Sequence, residues 1–150
     1  MGKKRVIKKT EEELIKETEK VEQKMKKAVS VKKSSEAGEG KIYISSTYNN
    51  TIISLTNKKG EVLVWRSAGS VGFKGTKKGT SYAASKVAQS IAEACRKLRI
   101  REVDVFVKGV GGGRDSSLKT LANQGLEFRS IKDITPIPHN GCRPRKPRRV

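Results

Sequence analysis

Histidine and cysteine are nearly absent from this 150-residue chain: His139 is its one histidine, and Cys95 and Cys142 are its two cysteines. A structural zinc site needs four nitrogen or sulfur ligands at short spacings, and these residues do not supply them. A Ser-His-Asp or Cys-His catalytic set would have to run through His139, which sits in a proline-rich basic tail that holds geometry poorly. Two cysteines without a CxxC pair fit a reducing compartment, and Cys95 reads as a small core residue on the apolar side of a predicted helix. Long apolar runs are missing too. The longest, Val62-Leu63-Val64-Trp65, falls far short of the roughly 20 residues a membrane helix needs. Met1-Gly2-Lys3-Lys4-Arg5 passes through Val6-Ile7 into more charge, so neither a secretory signal nor, with Val6 in place of Ser or Thr, a myristoylation signal is expected. Acids are the last scarcity. Between residues 41 and 150 the acids are Glu61, Glu93, Glu102, Asp104, Asp115, Glu127 and Asp133. They are too dispersed for a metal-dependent nuclease, which clusters its carboxylates. No membrane partner, metal, cofactor or reaction is expected.

What the chain has is positive charge: 34 Lys and Arg against 15 Asp and Glu leave +19. Residues 1–40 form a charged N-terminal extension, in which Thr10-Glu11-Glu12-Glu13 has the form of a capping box. Leu14, Thr18, Val21, Met25 and Ala28 then draw a thin apolar stripe on a helix predicted over 11–29. Such a helix is marginal alone, so the extension is either a fraying solvated arm or one that orders against RNA or a neighbouring protein. Ser34 to Gly40 reads as a flexible linker.

Residues 41–135 carry the pattern of one α/β domain. Strands are predicted at Ile42–Ser45, Thr51–Thr56 and Glu61–Arg66, joined by short turns into an antiparallel meander. Residues 67–80 show no period and read as a long, flexible basic loop. A helix follows, capped by Thr80 or Ser81, with Ala84, Val87, Ala88, Ile91, Ala94, Cys95 and Leu98 on one face. Next come a strand at Glu102–Val107, a short helix capped by Asp115 or Ser116 and stopped by Gly125, and a last strand within Leu126–Thr135. The order βββαβαβ predicts a mixed five-stranded sheet with two helices and a parallel pairing made by a right-handed crossover.

Residues 136–150 hold all four prolines, five cations and no acid. Proline keeps the backbone extended, so Arg143, Arg145, Lys146, Arg148 and Arg149 cannot bury their charge in a core. Either the tail merely solubilises, or a polyphosphate lies along it and releases counterions. The charge density and the absence of acids favour the second. Two further basic elements point the same way: Lys74, Lys77 and Lys78 near Phe73 and Tyr82, and Gly109-Val110-Gly111-Gly112-Gly113-Arg114. The latter completes neither GxGxxG nor a P-loop, but glycine lets backbone amides approach phosphate. The chemistry indicated is RNA binding, with a nucleic-acid enzyme and a DNA-compacting protein as rivals. Asn140-Gly141 is also a candidate for isoaspartate formation, because glycine leaves the asparagine carbonyl open to the next amide.

The run Ile134-Thr135-Pro136-Ile137-Pro138-His139-Asn140-Gly141-Cys142-Arg143-Pro144, ending in Arg148-Arg149-Val150, resembles the C-terminus of the small-subunit ribosomal protein eleven family. Tyr48-Asn49-Asn50-Thr51, Phe73-Lys74-Gly75, Thr80-Ser81-Tyr82-Ala83-Ala84 and Lys108-Gly109-Val110-Gly111-Gly112-Gly113-Arg114 are similar to other blocks of it. The tail matches its bacterial and organellar branch. The resemblance implies an RNase H-like three-layer α/β domain without nuclease activity, in the platform of the small ribosomal subunit. It implies contact with small-subunit ribosomal RNA near the messenger RNA exit region, and ribosomal proteins seven and eighteen as neighbours. The location it implies is a ribosome in the bacterial cytoplasm or in an organelle. The expected RNA contacts are Lys74, Lys77, Lys78, Arg114, His139, Arg143, Arg145, Lys146, Arg148 and Arg149, with Tyr48, Asn49, Asn50 and Asn140 as polar contacts. Two departures stand out: Val110 occupies a position where proline is common, and residues 1–40 exceed the family's usual short arm.

Overall fold

The computed structural model describes residues 19, 23, 38–143, 145 and 146. Glu19 and Gln23 are helical and exposed. The capping box, the rest of the predicted 11–29 helix, most of the linker, and Arg148 and Arg149 lie outside the described residues.

Alternating apolar residues build the first three strands, β1 (Glu39–Ser46), β2 (Thr51–Thr56) and β3 (Val62–Ser67). Strand β1 begins at Glu39, inside what reads as linker. The reason is the neighbouring strand β4 (Glu102–Lys108), whose backbone groups need partners along their whole length. Gly38 supplies one as well, its carbonyl accepting from the amides of Arg101 and Glu102 at 3.1 and 3.2 Å. The turn after β2 is closed by Asn57, whose Oδ1 accepts from the Glu61 amide at 2.9 Å while its Nδ2 donates to the Glu61 carboxylate at 2.8 Å.

Residues 67–80 are not an irregular loop. They form a short helix, α1 (Ala68–Val71), and a 3₁₀ turn (Gly75–Gly79). Ser67 and Ser70 cap α1 reciprocally, each side chain accepting from the other's backbone amide. That local hydrogen bonding leaves no hydrophobic period, which is why the pattern looks structureless. The long helix α2 (Ser81–Leu98) is capped by Thr80, and its Ala83, Ala84, Val87, Ala88, Ile91, Ala92, Ala94 and Cys95 are buried. Alanines let the helix axis approach the sheet, where Ile42, Ile44, Ile53, Leu55, Val103, Val105 and Val107 meet it. Each of these branched side chains contributes about 1.5–3 kcal/mol on full burial. Burial also pushes the Cys95 thiol up to about 12, so it behaves as an apolar filler.

The last elements are α3 (Gly113–Asn123) and β5 (Glu127–Asp133). Helix α3 starts earlier than expected. Its cap is Gly112, no side chain caps it, and Asp115 lies in its first turn, not at the cap. A Cβ at Gly113 would collide with Thr51 Oγ1 and crowd Ala84, so glycine lets the helix begin in contact with β2 and α2. The sheet runs β3-β2-β1-β4-β5, with β1 parallel to β4 and β4 parallel to β5. The expected mixed five-stranded sheet is therefore present, with three helices where two were expected. Among the described residues the layers number two. Helices α2 and α3 pack on each other and on one face of the sheet. On the other face Trp65 stays 56% exposed.

Candidate nucleic-acid interface

In an open sheet the carboxyl ends of parallel strands face a crevice that other parts of the chain do not fill. Here β1 ends at Ser46, β4 at Lys108 and β5 at Asp133, and three loops converge on that end. The turn Thr47–Asn50 closes on itself, with the Thr47 amide donating to the Asn50 carbonyl at 2.9 Å and the Asn50 amide to Thr47 Oγ1 at 3.2 Å. The Gly79 Cα lies so close to the Tyr48 carbonyl that a Cβ would overlap it. Gly109, at φ +97°, and Gly111 abut the Ser46 and Thr47 carbonyls in the same way, and the Gly111 amide donates to Ser46 at 3.0 Å. Ser81, in the first turn of α2, donates to the Gly112 carbonyl at 3.1 Å. Turn, 3₁₀ segment, glycine loop and the starts of both long helices thus form one platform.

The tail leaves from the same end. Asp133 and Thr135 make an Asx-type turn, Oδ1 accepting from the Thr135 amide at 2.8 Å and from its hydroxyl at 2.6 Å. Arg114 joins this root to the glycine loop. Its guanidinium donates to Asp133 Oδ2 at 2.6 Å, to Thr135 Oγ1 at 3.3 Å and to the Gly109 carbonyl. Thr135 Oγ1 also accepts from the Gly109 amide at 3.0 Å. The Thr135 hydrogen bonds, then Arg114, hold the Asp133 carboxyl down at about 2. The Asp133 carboxylate, though half exposed, is thereby engaged by groups of its own chain.

The expected contact residues divide accordingly. Tyr48 is 79% exposed, Asn49 is exposed and Asn50 is half-buried, all at this end. Lys74 and Lys77 are exposed and Lys78 half-buried around the 3₁₀ turn. His139, Asn140, Arg143, Arg145 and Lys146 are exposed along the tail, and Asn140 is left-handed at φ +56°. Arg143, Arg145 and Lys146 form no ion pair with any described acid. Arg114 differs from these: it is turned inward as the clamp of the tail root. Of the two aromatics near the lysines, Phe73 packs against the core, edge to face with Tyr82 at 5.8 Å, while Tyr82 stays 57% exposed. The sequence reading missed the Asp133–Thr135 root, although an Asp two residues before a Thr, just ahead of prolines, is a turn signal. No cluster of three His, Cys, Asp or Glu occurs among the described residues, and Asp104 accepts a 2.6 Å hydrogen bond from Ser130.

The arrangement presents exposed cations and polar tips on a base of internally bonded loops, suited to a folded polyanion. Comparison with known proteins points to one family. A family model described as Ribosomal protein S11 matches residues 40–149. A protein of Thermotoga maritima named small ribosomal subunit protein uS11 is 55% identical over 111 residues, covering 74% of this chain and 85% of its own length. Its namesake in Treponema pallidum strain Nichols is 54% identical over 112 residues, covering 75% and 89%. That of Thermosipho melanesiensis is 49% identical over 125 residues, covering 83% and 97%.

Proposed function

This chain belongs to the ribosomal protein S11 family, and from that premise we propose that it is a structural, non-catalytic RNA-binding constituent of the small ribosomal subunit. Its ligand is small-subunit ribosomal RNA in the platform, near the messenger RNA exit region. Ribosomal proteins seven and eighteen are its neighbours, in a ribosome of the bacterial cytoplasm or of an organelle. One observation carries the reading: an acid-free cationic tail leaves the sheet where turn 47–50, the glycine loop and the 3₁₀ lysines gather, and its described cations stay exposed. Lys74, Lys77, Lys78, Arg143, Arg145, Lys146, Arg148 and Arg149 meet phosphates. Tyr48, Asn49, Asn50, His139 and Asn140 make polar contacts to bases or sugars. Arg114 serves by fixing the tail's exit direction.

Removing residues 139–150 tests this. The truncated protein should bind folded small-subunit RNA more weakly, and its log–log salt slope should flatten by about 3.5, five phosphates at roughly 0.7 each. It should also sediment poorly with small subunits. An unchanged slope would place the RNA contact elsewhere, and equal affinity for duplex DNA would favour non-specific compaction.

A further inference from the structure

The sheet face turned away from α2 and α3 carries a line of side chains that the reading above leaves unused. Register places Trp65 opposite Ser54, Ser54 opposite Tyr43, Tyr43 opposite Phe106 and Phe106 opposite Lys132, one residue from each strand. Tyr43 and Phe106 are stacked, with centroids 4.9 Å apart and planes 13° apart. Phe106 comes from the β4 side, so the other face of the half-buried Tyr43 ring looks toward β2 and, beyond it, Trp65 on β3. Only the small Ser54 stands between. Two strand spacings separate the β1 and β3 positions by about 10 Å. A flat ring held between two others at about 3.5–4 Å on each side needs roughly 7–8 Å.

We propose that Tyr43 and Trp65 form a slot, floored by Ser54, that takes one unpaired RNA base. This deepens the reading above, and rests on it, by naming the form of RNA this face recognises. Charge along the face supports an RNA occupant. The acids Glu39, Glu102 and Asp104 lie toward the end where β1 and β4 begin. There Glu39 is held by Lys58 at 2.8 Å and Arg129 at 3.2 Å. The exposed Lys108 and Lys132 lie toward the opposite end, where the tail root and the glycine loop are. A nucleotide with its base in the slot can therefore send its phosphates toward cations and join the strand held at the carboxyl-end platform. An apolar protein segment would gain nothing from those lysines, and a paired base has no free face to offer.

Trp65 is the only tryptophan of the chain, so its emission reports the slot directly. The full chain is titrated with a single-stranded 12-nucleotide RNA and with the same sequence as a duplex, while filter retention measures binding independently. Single strands should quench Trp65 and duplex should not. W65A should bind the single strand about tenfold more weakly, W65F should recover most of that loss, and neither should move the salt slope. Retention of single strands with unquenched Trp65, or equal affinity of W65A, overturns the slot while leaving the tail reading intact. Failure to retain either RNA overturns that reading, and the slot with it.

Discussion

The two ends of the sheet are built differently, and the contrast explains which one is suited to phosphate. Where β1 and β4 begin, cations are interleaved with acids: Glu39 sits between Lys58 and Arg129, Glu61 is tied into the Asn57 turn, and Glu102 lies beside Arg101. Where β1, β4 and β5 end, the loops are packed backbone to backbone through glycine, and Asp133 is occupied by Arg114 and Thr135. Asp115 remains there, in the first turn of α3, where it complements the helix dipole. Solvent screens ion pairs between exposed side chains, so the far end gains little stability from its pairs. What the pairs change is the field: one end is locally neutralised, and the other leaves its tail cations unpaired among the described residues.

Glycine substitutions give the largest expected difference between the ends. Gly60 and Gly109 both have positive φ, +93° and +97°, but nothing lies within 4 Å of a Cβ at Gly60, whereas one at Gly109 would overlap the Ser46 carbonyl. G60A should cost about 1–2 kcal/mol, the left-handed backbone penalty alone. G109A should cost about 3 kcal/mol or more, because the glycine loop must also separate from β1. Denaturant unfolding measures both. Equal losses would mean that the loops do not depend on close approach.

A smaller effect sharpens the view of the tail root. With the folded Asp133 carboxyl at about 2 and its ordinary value 3.8, the clamp is complete above about pH 4 and is lost as pH falls through 2. Carboxyl NMR titration should therefore give Asp133 a midpoint near 2. T135A and R114A should each raise it, since the Thr135 hydroxyl bond, then the Arg114 guanidinium, hold the carboxyl down. A wild-type midpoint near 3.8 would mean the root is not pinned. The smallest and slowest effect expected is chemical. Asn140, exposed and followed by glycine, should accumulate isoaspartate on ageing. Mass spectrometry after isoaspartyl methyltransferase labelling should find the label on the peptide containing Asn140, and its absence there would end that expectation.

Much of this architecture can be read from residue order. Alternation in Ile42–Ser45 and Val103–Val107 and the alanine stripe of α2 report burial against a single surface, so periodicity finds them. What periodicity misses is stabilised locally or by contact across the chain. Helix α1 is made by two serines capping each other. The start of α3 is set by the space between Thr51 and Ala84, which only a residue without Cβ can enter. Arg114 looks like a phosphate ligand because arginine beside glycines usually has that use. Its turn inward depends on Asp133, 19 residues away in sequence.

By itself, the order of residues determined that this chain has one α/β core and a proline-stiffened basic tail that cannot enter it. Those properties follow from side-chain size, charge and period, which act locally. Only the tertiary structure decided that the tail root, the glycine loop and the asparagine turn share one end of the sheet. The meander read from the sequence already flanks β2 with β1 and β3, but the register alone set Tyr43, Ser54 and Trp65 in one row. Both are consequences of strand order and register, which come from packing between segments distant in sequence and leave no trace in any local pattern.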